Sequence, residues 1–301
     1  MNVNRIRRIL MYLKAINKEV FSVNGTFFHE FQREYALTGC NKARIKWCED
    51  NGYSDYARYL RKYKPYKMAV DENALFWLER HPQLANEVYF DEACGMFYFN
   101  RNGKKLYWSK GENIVSAIDK YSYLCYEQSE TSAHKYFSEN FAINEGDIVA
   151  DIGCAEGIII LDNIEHIKHA YLFECDKGWV EALKKTFELW KDKITIINKF
   201  VGNQEDDSHV KLDSFFEDRA VDLIKMDIEG GELDALDGAK RLIQNERPLK
   251  LAICAYHKPN DEENIIKRLN NFDIEIPREK LFVWSSEEPF FCSGVIRATK
   301  K

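Results

Sequence analysis

Ile148-Val-Ala-Asp151-Ile-Gly153-Cys-Ala-Glu-Gly157, running straight into Ile158-Ile-Ile-Leu161, decides the fold. Ile148, Val149 and Ala150 read as the end of a buried strand, and Asp151 stands where that strand runs out. Gly153 and Gly157 bracket a tight turn, and the apolar run after them opens a helix. Strand, glycine turn and helix start together make the nucleotide cradle of a doubly wound α/β domain. Glycine suits the turn because the backbone must bend and approach a ligand with no Cβ in the way.

The turn also selects its ligand. A dinucleotide fingerprint has three glycines in G-x-G-x-x-G order, whereas this chain has G-x-A-x-G with Asp151 two positions ahead. Asp151 and Glu156 have the wrong sign for a pyrophosphate. They suit a ligand that carries an amine and a positive sulfur. Ala170-Tyr-Leu-Phe173 reads as a second strand ending in Glu174, 21 positions after Gly153. A carboxylate for ribose hydroxyls is expected at ~20. These features point to S-adenosylmethionine rather than NAD.

Composition narrows the class. The 301 residues are 45% apolar and 14% aromatic, enough to bury a sizeable core. A net charge of -6 argues against a nucleic-acid partner. No apolar run reaches the ~20 residues of a membrane span. Residues 1–20 are basic but lack a signal peptide's apolar centre. Eight cysteines are scattered without a C-x-x-C pair, so neither a disulfide framework nor a cysteine zinc site is expected. The expectation is a cytoplasmic protein with reduced thiols, and homo-oligomerisation stays open.

In the N-terminal part, Ile6, Ile9, Leu10, Leu13 and Ile16 recur at helical spacing, with a basic opposite face. Further short helices are expected over 30–64 and a helix over 69–79. Asn102-Gly103 between Met96-Phe-Tyr-Phe99 and Lys105-Leu-Tyr-Trp108 is a strong hairpin signal. Ile114, Ile118, Tyr121 and Leu124 predict a helix, and Phe137 and Phe141 another.

From residue 148, strands at 148–151, 170–174, 194–200, 221–227 and 249–255 alternate with helices, and two closing strands follow at 280–284 and 292–299. Alternation implies parallel strands covered on both faces. The expected architecture is a Rossmann-like doubly wound, mostly parallel, seven-stranded sheet with an N-terminal, mainly helical extension containing a β-hairpin. Residues 1–140 form that extension, a substrate cover or oligomerisation region, and 141–301 the cofactor-binding domain. In such sheets ligands lie outside the carboxyl ends of the strands.

Lys225, Asp227 and Glu229 alternate in Val221-Asp-Leu-Ile-Lys-Met-Asp-Ile-Glu-Gly230, so they are expected on one face. Three charges on a central strand need partners or an open cleft. Lys225 is expected to pair with and orient Asp227, leaving Asp227 and Glu229 toward the reacting groups. Glu232 reads as a first-turn helix acid. His257 ends the strand Lys250-Leu-Ala-Ile-Cys-Ala-Tyr256 and is a candidate general base, with Tyr256 facing away into the core. His134 is a second candidate, whose segment can fold over the same cleft. Cys154 and Cys175 read as apolar wall residues rather than nucleophiles.

Residues 145–257 resemble the FkbM-type methyltransferases, a class I S-adenosylmethionine-dependent family. The resemblance rests on Asp151-Ile-Gly-Cys-Ala-Glu-Gly157, Phe173-Glu-Cys-Asp176, Lys211-Leu-Asp213, Ile224-Lys-Met-Asp-Ile-Glu-Gly-Gly-Glu232 and Ala252-Ile-Cys-Ala-Tyr-His257. Ala155 stands where relatives carry glycine or asparagine. The resemblance implies that Asp151, Gly153, Cys154 and Gly157 line the methionine end of the cofactor and that Glu174 holds the ribose. Cys175, Val201 and Gly202 would lie near the adenine, and Asp227 near the transferred methyl.

The function expected is O-methylation of a sugar or other small hydroxylated metabolite, with Asp227, His257 and Glu229 as catalytic residues. His257 or Asp227 takes the hydroxyl proton. No dedicated metal site is expected, although Asp227, Glu229 and His257 leave a divalent ion open as a variant. The alternatives are an NAD-dependent oxidoreductase on a similar sheet and a non-catalytic binding or scaffold protein.

Overall fold

The computed structural model describes residues 42–63, 69 and 70, 81, 87–283 and 290–300. The helical pattern of Ile6 to Ile16 lies outside them, as does most of the helix expected over 69–79. Its first two residues, Ala69 and Val70, are extended and pair with Val283 and Phe282.

The hairpin forms as its turn chemistry demands. Strands β1 (Val88–Asp91), β2 (Met96–Arg101) and β3 (Lys104–Tyr107) make an antiparallel sheet. Asn102 and Gly103 take φ of 51 and 80° between β2 and β3, the left-handed pair that matches strand twist. Arg101 then docks the hairpin on the main domain, with Nε and Nη2 donating to Asp162 at 2.8 and 2.7 Å. Helix α1 (Ile114–Glu127) follows, its N-terminus capped by the Asn113 side chain on Ser116 N. The helix expected around Phe137 and Phe141 is absent. That segment closes on itself through an antiparallel bridge between Ser138 and Phe141.

The main sheet has seven strands. They are β4 (Ile148–Ile152), β5 (His169–Phe173), β6 (Ile194–Ile197), β7 (Leu223–Met226), β8 (Leu249–Cys254), β9 (Asp273–Glu275) and β10 (Val295–Lys300). Their spatial order is β9-β10-β8-β7-β4-β5-β6, with β10 antiparallel to both neighbours and the remaining pairs parallel. The winding reverses between β4 and β7, which places the crevice at the carboxyl ends of those two strands.

One closing strand differs from expectation. Leu281–Val283 is a strand, but it pairs with Phe290–Cys292 and Ala69–Val70 in a separate small sheet. The sheet edge is taken by Asp273–Glu275, whose three residues are too short to give a period-two signal.

Alternation sorts the core into two layers. Val149, Leu172 and Leu223 face Phe99, Trp108, Tyr121 and the helix α2 (Ile158–Asn163). Ala150, Phe173, Ile224 and Met226 face the opposite cluster with Leu236 and Ile265. The hairpin and α1 thus share one continuous core with the sheet. No helix among the described residues is long and apolar enough to cross a membrane.

Candidate active site

The β4–α2 turn is built by close approach. Gly153 has φ of 71°, and a Cβ there would fall 2.0 Å from the Asp227 carbonyl, so β4 and the segment after β7 can touch only at glycine. Ala155 also takes a left-handed φ, 44°, a conformation that costs an L-residue energy. Its amide donates to Glu174 Oε2 at 3.0 Å, while the other carboxylate oxygen accepts from Asp176 N at 2.8 Å. Glu174 is therefore a fixed acid at the end of β5, 7% exposed. Asn198, which sequence reasoning passed over, donates to the carbonyls of Glu174 and Cys175 and braces this corner. Gly202 lies against the helix α3 (Glu232–Asp237), where a Cβ would meet Asp234 Oδ2 at 2.6 Å; Val201, before it, is half-buried. Cys154 is buried and Cys175 exposed, and burial raises both thiols, so neither is poised as a thiolate.

Three acids surround the turn. Asp151 and Glu156 are buried with Glu174. Burial pushes the Glu156 carboxyl up to about 7. Lys225 is the buried cation beside them: its Nζ lies 3.0 Å from Asp151 Oδ1 and donates to Gly153 O at 2.7 Å. The expected Lys225–Asp227 pair is thus replaced by a cross-strand pair. Lys225 is in register with Asp151. Adjacent strands lie ~4.8 Å apart, whereas residues two apart on one strand are separated by ~6.6 Å. Burial opposes the Lys225 charge, but Asp151 and Asp227 outweigh it and hold the ammonium above its ordinary pKa.

The second half of the site sits at the ends of β7 and β8. Asp227 Oδ2 accepts the Tyr136 hydroxyl at 2.9 Å, with His134 Nε2 3.7 Å away. Asp227 Oδ1 faces His257 Nε2 at 3.4 Å. Burial pushes the Asp227 carboxyl up; Lys225, the two histidines and the Tyr136 bond outweigh it and hold the group below its usual value. His257 Nδ1 is 3.1 Å from Glu232 Oε1. Burial pushes that imidazole down, and Glu232, Asp227 and Glu229 together hold it above its ordinary value.

The three expected catalytic residues do converge, but on different terms. β7 stops at Met226, and Glu229 takes a φ of 55°, so the strand alternation ends before reaching it. Glu229 stands at the rim, 93% exposed, 3.7 Å from His257 Nε2. Glu232, read as a helix acid, is instead 1% exposed and in contact with His257. Tyr256 does not face away either, because β8 ends at Cys254: its ring tilts on His257 at 4.2 Å and its hydroxyl lies 3.2 Å from His134 Nε2.

The segment ending in His134 and Tyr136 folds over the cleft, held from behind. Gly294 permits the approach, since a Cβ there would lie 2.3 Å from Ala133 O. Arg297 on β10 donates Nε to Tyr136 O at 2.9 Å and Nη2 to Lys135 O at 2.6 Å. Tyr136, Tyr256, Glu232 and Arg297 were not singled out by sequence reasoning for this site. The one available signal was His134-x-Tyr136, which puts both side chains on one face of an extended segment. Lys211-Leu-Asp213 is structural: Asp213 accepts from the amides of Arg241 and Leu242.

A family profile described as the methyltransferase FkbM domain matches residues 97–279. No curated protein matches the chain significantly. Among solved structures, the chain is similar to the methyltransferase FkbM of Methylobacillus flagellatus KT, at 19% identity over 62% of this chain and 53% of that one, with a TM-score of 0.44. The match therefore spans about half the length of the Methylobacillus chain. It is also similar to precorrin-6y C5,15-methyltransferase from Geobacter metallireducens GS-15, at 10% identity over 53% and 82% of the two chains and a TM-score of 0.37. An rRNA methylase from Streptococcus thermophilus gives 14%, 53% and 90%, and 0.36.

Proposed function

This chain belongs to the FkbM methyltransferase family, and we propose that it methylates a hydroxyl oxygen of a sugar or other small hydroxylated metabolite, using S-adenosylmethionine. The observation that carries this reading is the pair Asp227–His257, 3.4 Å apart at the ends of β7 and β8, beside an acid-lined glycine turn. The donor set fits the cofactor: Asp151, Glu156 and Glu174 are buried carboxylates, with Lys225 the buried ammonium beside them. Such a set suits a cationic ligand bearing a ribose diol and disfavours a pyrophosphate. The cofactor, when bound, supplies an electrophilic methyl on a positive sulfur.

The chain's residues then orient an acceptor and take its proton. A hydroxyl is a weak nucleophile until its proton has a destination. Asp227 is held acidic and is a poor base, so its role is to orient the hydroxyl by accepting a hydrogen bond. His257, held above its ordinary pKa, is the base. Asp151, Glu156 and Glu174 would hold the cofactor as it gives its methyl group to the hydroxyl oxygen and leaves as a neutral thioether. The hydroxyl proton passes to His257 Nε2. Glu229 sits at the rim, where it can meet the acceptor or the leaving proton. The residues before about 140 contribute the cover, through His134 and Tyr136.

A thermal-shift series with S-adenosylmethionine, S-adenosylhomocysteine and NAD tests the cofactor, because a ligand of the native state raises its midpoint. The first two should raise it; a rise with NAD alone points to an oxidoreductase, and no rise with any of the three to a binding protein. A glycoside and polyol acceptor screen read by S-adenosylhomocysteine release then tests the substrate class. His257→Ala should lower turnover at saturating cofactor by roughly 10²–10⁴-fold.

A further inference from the structure

His257 is confined on every side. Nδ1 faces Glu232 Oε1 at 3.1 Å, and Nε2 faces Asp227 Oδ1 at 3.4 Å and the rim carboxylate of Glu229 at 3.7 Å. The Tyr256 ring leans on it at 4.2 Å. From the start of the helix Asp261–Arg268, Asp261 adds a further negative charge near it, while the Lys258 ammonium is tied to Gly230 O. The imidazole is 8% exposed and has little freedom to turn over.

Glu232 is fixed as firmly. Its Oε1 accepts the Ile228 amide at 2.9 Å, and the Gly230 amide lies 3.4 Å away. Glu229 and Gly230, at φ of 55 and 94°, both turn left-handed, and this brings the chain round so that a residue five positions beyond Asp227 reaches back under the histidine. A helix-first-turn acid that only interacts with the dipole would be exposed; Glu232 is 1% exposed and fully engaged. All three contacts fall on Oε1, which has two lone pairs: the Ile228 amide takes one, and the imidazole Nδ1 at 3.1 Å lies nearer to the other than the Gly230 amide at 3.4 Å.

We propose that Glu232 is a positioning residue: its carboxylate accepts the Nδ1 proton of His257 and so leaves Nε2, on the Asp227 side of the ring, as the basic nitrogen. The two nitrogens then have separate tasks, one anchoring the ring and the other receiving the acceptor's proton. Glu232 carries no proton away and touches no reactant. Its negative charge stabilises the imidazolium formed on proton transfer, in line with the His257 pKa being held up against burial. The catalytic meaning rests on the proposed transfer reaction, whereas the tautomer is a property of the free protein.

Long-range 1H–15N NMR of the full chain labelled with 15N-histidine reads the tautomer without any acceptor, with His257→Gln assigning the signals. The wild type above its histidine pKa should give the Nδ1–H form. Glu232→Gln should shift the population toward Nε2–H and lower the His257 pKa by about one unit. Glu232→Asp, with a shorter reach, should fall between them. A wild-type ring in the Nε2–H form, which is readable even if the variants fail to fold, overturns the proposal. So does an unchanged tautomer and pKa in Glu232→Gln. Selective broadening of the His257 signals by equimolar Mn2+ would make the ring a metal ligand and overturn it as well. Thermal-shift results with S-adenosylmethionine bear only on the transferase reading, so the two can fail separately.

Discussion

The hydroxyl of Tyr136 donates a 2.9 Å hydrogen bond to Oδ2 of Asp227, across 91 residues of sequence. The bond joins the covering segment to the end of β7, and it is one of the forces holding the Asp227 carboxyl below its usual pKa, though burial pushes the other way. Tyr136→Phe removes only this donor. A hydrogen bond to a charged group is worth roughly 1.5–3 kcal/mol, and Asp227 remains 19% exposed to water, so the loss should be about 1–2 kcal/mol. Urea denaturation gives the loss, and a carboxyl pKa measured by NMR should rise at Asp227.

Lys225→Met should be the most damaging conservative-volume change in the sheet. It strips the partner from Asp151, which is 1% exposed. Breaking a buried pair from one side costs about 3–5 kcal/mol. Adding Asp151→Asn removes the stranded charge, and the double variant should recover more than half of the lost stability in the same denaturation experiment.

Ala155→Gly should stabilise the protein. The residue sits at φ of 44°, where glycine has no Cβ penalty. The gain, net of the greater freedom of an unfolded glycine, should be about 0.5–1 kcal/mol. Equal or lower stability would mean that the Ala155 methyl makes packing contacts worth more than the strain.

Glu156 gives a pH signature. Its native pKa, raised by burial to about 7, lies above the ordinary value of 4.5, so folding favours the protonated form. The stabilisation is fully present below pH 4.5 and is lost as pH rises through 7. Glu156→Gln lacks this slope. It should exceed the wild type at pH 8 by up to about 3 kcal/mol, with the difference vanishing near pH 4.5 in a thermal-melt series. Added S-adenosylmethionine should narrow the gap at pH 8, because a cation beside the carboxylate offsets its burial.

The glycine-turn half of the candidate site was legible because its signals are local. Asp151, Gly153, Gly157 and Glu174 lie within one β-α-β unit, where strand ends and glycines announce themselves. The half at the ends of β7 and β8 was less so. Asp227 and His257 were placed at strand ends, but alternation was extended past Met226 and Cys254, where the strands stop. That put Glu229 on the wrong footing and turned Tyr256 the wrong way. Lys225 was given its neighbour along the strand because the neighbour across it, 74 positions earlier, depends on sheet order. Tyr136 and Arg297 carry no motif, and only tertiary contact brings them in.

The Arg297 grip on Lys135 and Tyr136 joins residues 162 and 161 positions apart. Contacts of such reach form late, since their loop must close before any reward arrives. The β4–α2 turn has a more local brace in Ala155 and Glu174, 19 positions apart, although its Lys225–Asp151 pair spans 74. The covering segment should therefore be among the last parts of the chain to take its seat. Until β10 slots between β8 and β9, His134 and Tyr136 would have no anchor behind them.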